Sequence, residues 1–231
     1  MPVSLNARFV ALAACGASAF IDMYATQPLL PELRTTFGAS EASGGLTITA
    51  TTFACAAAAP LVGTVADRVG RKRVIVTSIV LIALATFGAA SARTLPALIA
   101  WRAAQGALMP GVFAVTIAYI AEEFPVAVAG RAVAAYVTGN VFGGWFGRYI
   151  AALAAAHAHW QAAFFILGVL NLAGASFVVW VLPRSAHFTR SASVGASSRA
   201  ILGFLRDPQV LVTYAMGGTV LFTRVATFTF V

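Results

Sequence analysis

The sequence predicts an all-α membrane protein, a bundle of six transmembrane helices followed by a seventh apolar run. Three observations lead there. Of the 231 residues, 60% are hydrophobic and only 10% are charged, against about 25% charged in a soluble domain. The apolar residues fall into runs of the ~20 residues that cross a bilayer core as a helix. The basic residues between the runs are dense in alternate loops and sparse in the others, the pattern that sets orientation in a membrane. Folded in water, a chain of this composition would expose apolar surface far beyond what soluble proteins carry.

Span 1 covers residues 9–30, is broken by Asp22, and is expected to end at Pro28 and Pro31. Span 2 covers 46–66 and span 3 covers 74–92. Span 4 runs from 95 to 121, just before Glu122 and Glu123. Span 5 covers 132–156, and span 6 covers 161–182, where Pro183 stops it. A polar stretch rich in Ser and Arg, 184–207, precedes the seventh run, 208–231. Residues 1–183 are thus a six-span bundle, 184–207 a central cytoplasmic loop with a short amphipathic helix at 200–205, and 208–231 a seventh span. The first apolar run is too long for a signal-peptide core and ends in no small-residue cleavage site, so it is a retained span.

With the N-terminus inside, the inner segments hold Arg8, Arg68, Arg71, Lys72, Arg73, Arg131, Arg184, Arg190, Arg199 and Arg206, whereas the outer loops hold only Arg34 and Arg93. That asymmetry places the N-terminus and the central loop in the cytoplasm of an inner-membrane protein. The net charge of +8 does not indicate nucleic-acid binding, because the basic residues are scattered between apolar runs instead of gathered on a polar face. Cys15 and Cys55 lie within apolar runs and behave as small hydrophobes. No cysteine or histidine spacing suggests a metal, and His157 and His159 read as interfacial loop. Trp145, Trp160 and Trp180 fall within or near span ends, where aromatic rings anchor at headgroups.

The loop between spans 2 and 3 is Gly63-Thr-Val-Ala-Asp67-Arg68-Val-Gly70-Arg71-Lys72-Arg73. Topology alone explains its positive charge but not Asp67, which adds nothing to that bias. Gly63 lies one helical turn before Asp67 and leaves room beside it for another helix, and Gly70 suits a positive φ and a sharp return into span 3.

Two charges lie within spans. Arg102 is about 10 Å into span 4 and Asp22 about 20 Å up span 1 from the inner side, at 1.5 Å per residue. In a core about 30 Å thick the two sit at one level. An acid and a guanidinium there are able to pair, and protonating the acid would release the arginine. The alternative is that Arg102 only staples span 4 to backbone carbonyls of its neighbours. Arg148 in span 5 adds a second arginine, and a cavity holding both would favour anionic substrates or a carboxylate counter-ion.

The loop resembles the G-x-x-x-D-R-x-G-R-K-x loop of the major facilitator superfamily at every keyed position. Leu98, Arg102, Gln105 and Gly106 are similar to that family's L-x-x-x-R-x-x-Q-G motif of span 4. The stretch Asp22-Met-Tyr-Ala-Thr-Gln27-Pro28-Leu-Leu-Pro31 resembles the acid-then-proline ending of span 1 in drug/proton antiporters. In span 5, Gly139, Gly143 and Gly147 match the antiporter motif G-x-x-x-G-P-x-x-G-G, but Gly144 replaces its proline and Arg148 its last glycine. That departure weakens an antiporter reading taken from this motif alone.

The resemblance implies a 3+3 inverted-repeat bundle that rocks against a second half about a central site. It implies a conformational latch built from Gly63, Asp67, Arg68, Gly70 and Arg71, with Asp67 facing a helix of the other half and Arg71 paired to Glu122 or Glu123. It also implies proton coupling or a substrate cavity at Asp22, Arg102, Gln105 and Arg148. The expected activity is proton-coupled efflux of small organic molecules, driven by the proton gradient with no cofactor. The expected partners are the bilayer, a small-molecule substrate, and a missing C-terminal half or partner chain. Since one half and one further span are present, a truncated frame, a fragment of a longer protein and a dimerising unit are all open. The alternative function is a membrane fragment or subunit that does not transport alone. An enzyme is not expected, because no loop or span presents a nucleophile with its base.

Overall fold

The computed structural model describes residues 4–183 and, further on, positions 208, 209, 211, 212, 215–219 and 223. Two compact units are distinguished, Met1–Arg190 and Ser191–Val231. In the second, the described positions are helical, with Thr219 and Thr223 each donating to the carbonyl four residues back at 2.9 Å. The expected central loop 184–207, with Arg184, Arg190, Arg199, Arg206 and the short helix at 200–205, lies outside the described residues, as does Arg224.

The described part of the first unit is helical, joined by short turns: α1 (Leu5–Met23), α2 (Leu30–Phe37), α3 (Glu41–Val69), α4 (Arg71–Ala90), α5 (Leu95–Leu108), α6 (Pro110–Glu123), α7 (Val126–His157) and α8 (Trp160–Val181). They make six segments long and apolar enough to cross a membrane, and each overlaps one expected run over almost its whole length. Ser4, Ser40 and Thr94 start α1, α3 and α5 as N-caps, their hydroxyls accepting from backbone N–H groups three residues on that the helix leaves without partners.

Two expectations about helix ends need correction. Pro28 and Pro31 do not end span 1. α1 stops earlier, at Met23, and the span resumes through a single 3-10 turn, Gln27–Leu29, and α2. Each proline sits in the first turn of the segment that follows, where its missing N–H removes no helical bond. Span 4 is likewise not one helix but two, α5 and α6, divided at Met109 with Pro110 opening the second.

The three helix pairs in most extensive contact are α1–α7, α3–α5 and α4–α8, which join span 1 to span 5, span 2 to span 4, and span 3 to span 6. Exchanging spans 1, 2 and 3 for 4, 5 and 6 turns the first pairing into the second and leaves the third unchanged. An inverted 3+3 repeat requires that pattern. Glycine makes the close pairings possible. A Cβ on Gly139, Gly143 or Gly147 of α7 would strike the backbone of Ala13, Ala17 or Ile21 on α1, and one on Gly106 of α5 would strike that of Thr51 on α3. Small residues let backbones approach where lipid gives no hydrophobic drive to pack.

One aromatic residue is placed otherwise than expected. Trp160 is 1% exposed and packs between Phe37 and Phe164, whereas Trp180 is 84% exposed. Its position at the start of α8, beneath the α2 extension of span 1, puts it inside the bundle and not at a headgroup.

Candidate functional site

α5 carries Leu98, Arg102, Gln105 and Gly106 on its buried face. Their i, i+4, i+7, i+8 spacing is one stripe of a helix, so the keyed residues of the span 4 pattern turn together toward the core. Arg102 and Gln105 are wholly buried. An arginine within a span is costly unless its donors are met, and here α1 and Gln105 meet the two Nη groups, while Nε is buried without a partner. A helix end leaves its last carbonyls without intrahelical donors, and α1 ends beside Arg102. Nη1 donates to the Asp22 carbonyl at 2.9 Å and to Gln105 Oε1 at 2.7 Å, and Nη2 donates to the Met23 carbonyl at 3.1 Å. Gln105 in turn donates to the Thr86 hydroxyl of α4 at 2.6 Å.

The Asp22 carboxyl is also fully buried. Its Oδ2 accepts from the side-chain amide of Asn171 on α8, and its Oδ1 has no hydrogen-bond partner. Asp22 and Arg102 therefore share one level of the bundle, and the arginine's charge acts on the carboxyl. None of Arg102's hydrogen bonds goes to that carboxyl, however, although Thr86, which accepts from Gln105, also lies against it. Among the described residues no ion pair within 4.0 Å links them. Of the two roles left open for Arg102, the hydrogen bonds are those of the staple. Arg148 does not join it in full burial. It is half-buried on α7, one residue past Gly147.

The α3–α4 turn forms the second constellation. Gly70 ends α3 and starts α4 at φ 101°, ψ 138°, a region essentially restricted to glycine. The turn holds Asp67 and Arg71 one helical turn apart, and Arg71 reaches Asp67 at 2.6 Å and Glu122, at the end of α6, at 2.7 Å. Lys72 donates to the Val179 carbonyl at 2.8 Å, one of the last carbonyls of α8. Arg68 is exposed, and a Cβ on Gly63 would meet nothing within 4 Å. Four helix ends, those of α3, α4, α6 and α8, are thus tied at one end of the bundle.

The described part matches the description Major Facilitator Superfamily in fold and motif, and a model of that family matches residues 12–231. The chain belongs to the major facilitator superfamily. That family is one of membrane transporters and not of enzymes. An uncharacterised transporter of the family from Bacillus subtilis, YybF, is 28% identical over 231 residues, covering all of this chain and 57% of that protein. A chloramphenicol resistance protein of Streptomyces lividans is 27% identical over 230 residues, with the same shares covered. Among solved structures, a D-xylose–proton symporter superposes with a TM-score of 0.69 at 17% identity, over 94% of this chain and 56% of that one. This last likeness concerns the fold alone. The chain spans little more than half the length of these relatives.

Three residues of these constellations were not singled out from the sequence. Asn171 and Thr86 were legible only as polar side chains in apolar runs, a signal that membrane burial makes informative. Glu32, whose Oε1 accepts from the Trp160 backbone N–H at 3.0 Å and so caps α8, gave no local signal, since its partner is distant in sequence. Lys72 belongs to the loop pattern, but its partner at the other end of α8 could not be read from it.

Proposed function

We propose that this chain forms the N-terminal half of a proton-coupled exporter of small organic molecules that works by alternating access. It would sit in a bacterial inner membrane with its N-terminus in the cytoplasm. One observation carries the reading: a carboxyl group, Asp22, is wholly buried in a span beside a buried arginine that spends its own hydrogen bonds elsewhere. A carboxyl so placed can take up and release a proton without breaking the staple that holds α1 to α5. The name of the Streptomyces relative, a chloramphenicol resistance protein, supports export of a small organic molecule. The charge asymmetry of the loops supports the orientation.

In this reading the α3–α4 turn is the latch, with Asp67 turned to the second half and Arg71 holding Glu122. The energy source is the proton gradient, and no cofactor takes part. The test uses inside-out vesicles from cells producing the protein, acidified within by respiration. Chloramphenicol added outside should release protons, and Asp22→Asn should abolish that release while leaving the protein in the membrane. Proton release that survives Asp22→Asn sinks the assignment.

The half-length match to the relatives favours one second reading: a membrane subunit that does not transport until a partner supplies the other half. Vesicles holding this chain alone would then be silent, and co-production with a C-terminal half would restore proton release.

A further inference from the structure

The buried cluster contains an unused acceptor. Asn171, on the middle of α8, is 1% exposed. Its Nδ2 donates to Asp22 Oδ2, while its own Oδ1 is buried with no hydrogen-bond partner, as is Asp22 Oδ1. A buried acceptor left unmet costs free energy. An amide at this position is therefore only half used in the state described, although a valine or leucine would pack in an apolar helix without that cost.

The chemistry of the two groups suggests why. A carboxylate only accepts hydrogen bonds, whereas a carboxylic acid carries one O–H donor. An asparagine amide offers both kinds of group, and its terminal torsion is broad and roughly two-fold. Resting on the reading of Asp22 as the proton-carrying group, we propose that Asn171 is a positioning residue that reads the protonation of Asp22, its amide turning over between donor and acceptor. With Asp22 ionised, Nδ2–H donates to Oδ2, as observed. When a hydronium ion gives its proton to the carboxylate and leaves as water, the new O–H donates to Asn171 Oδ1, and the Nδ2–H···Oδ2 hydrogen bond is given up. Each state then pairs the carboxyl with α8, through opposite ends of one amide.

The surroundings allow this. From α5 the charged group acting on Asp22 is Arg102, whose Nη atoms are engaged by backbone carbonyls and Gln105. From α4 the neighbour is the Thr86 hydroxyl, which accepts from Gln105 and donates to the Ile82 carbonyl at 2.7 Å. α7 brings Gly147 against Ile21, with Arg148 half-buried at the next position. None of these offers the protonated carboxyl an acceptor as free as Asn171 Oδ1. Because α8 packs on α1 and α4, a change of partner at Asn171 reaches the third span of each repeat.

The experiment is pH-difference infrared spectroscopy on the full-length protein in lipid vesicles, produced with asparagine carrying 13C at the side-chain carbonyl. The carboxyl C=O band lost in Asp22→Asn reports Asp22, and the labelled amide band altered in Asn171→Gln reports Asn171. On acidification the Asp22 band should grow and the Asn171 amide band shift to lower wavenumber together, as its oxygen gains a hydrogen bond. In Asp22→Asn the amide band should stay fixed. An Asp22 band that grows while the Asn171 band stays in place overturns the role of Asn171 and leaves Asp22 as the proton carrier. No Asp22 band at any pH at which the vesicles remain sealed overturns both.

Discussion

The guanidinium of Arg71 grips the carboxylate of Glu122 with two of its nitrogens, Nη2 at 2.7 Å and Nε at 3.2 Å, and reaches Asp67 with the third at 2.6 Å. One arginine thus ties the last turn of α3 and the first of α4 to the end of α6. Arg71 is 13% exposed and each acid 32%, so solvent screens part of the attraction. Glu122→Gln should cost about 0.5–1 kcal/mol, the upper range for a partly screened pair of good geometry. Arg71→Lys should cost at least as much, because an ammonium has no fork to hold two acids. Thermal unfolding in detergent measures both, and the penalty should shrink in high salt. A penalty insensitive to salt would mean that the contact acts through packing.

The two glycines of that turn should separate sharply. Gly70→Ala forces a side chain into the φ 101°, ψ 138° conformation, at a cost of about 1–3 kcal/mol. Gly63→Ala adds a methyl group where nothing lies within 4 Å and replaces a helical glycine, so its stability should be unchanged or slightly raised. If Gly63→Ala nevertheless impairs transport in the full-length protein, the open space beside it is used by the second half. Equal destabilisation by both substitutions would contradict the turn geometry.

The extent to which these features were legible follows from their range in sequence. The first six spans come from runs of apolar residues, a local property, and six such helical segments stand among the described residues, with the end of the first displaced. The glycine at position 70 is local too, one backbone angle, whereas the Asp67–Arg71 pair was not expected and the Arg71–Glu122 pair came only through the resemblance. The end of α1 was misplaced because prolines stop a helix when they follow it but also open one when they lead it, and the sequence offers both readings. The partners of Arg102 depend on where α1 breaks, hence the sequence left both the acid at its level and neighbouring carbonyls open and did not say which carbonyls. Asn171 needed the rotation of α8 about its axis. Trp160 needed the path of α2, which only the tertiary structure supplies.

The glycine seam between α1 and α7 should tolerate no side chain. Gly147→Val places methyl groups on the Ile21 backbone, one residue from Asp22, and helices cannot part locally without losing neighbouring contacts. Overpacking of this kind costs about 1–3 kcal/mol or more. Gly130→Ala, on the same helix with nothing within 4 Å, is the control and should be neutral. Folded yield after detergent extraction, compared for the two variants, checks this. A Gly147→Val protein as stable as the control would show that α1 and α7 do not meet at the glycines.

The buried arginine makes the sharpest demand, since two kinds of interaction meet on it. Arg102→Lys keeps the charge, but one ammonium cannot reach the Asp22 and Met23 carbonyls and Gln105 Oε1 from a single plane, and a loss of about 1–3 kcal/mol is expected. Arg102→Met takes the guanidinium's hydrogen bonds from the Met23 carbonyl and Gln105 Oε1, leaves the Asp22 carbonyl to the Ala25 N–H, and removes the charge beside Asp22, at about 3–5 kcal/mol. Asp22→Asn in the Arg102→Met background separates the two contributions. The carbonyls belong to the backbone and persist in Asp22→Asn, so the staple is lost equally in either background, and only the charge–charge part can make the double variant more stable than the sum of the singles. A coupling of about 0.5–3 kcal/mol, read from chemical unfolding of the four proteins, would show the two charges acting on each other across the gap between their hydrogen bonds. Strict additivity would leave Arg102 as a staple alone and move the search for the proton's counter-charge to Arg148.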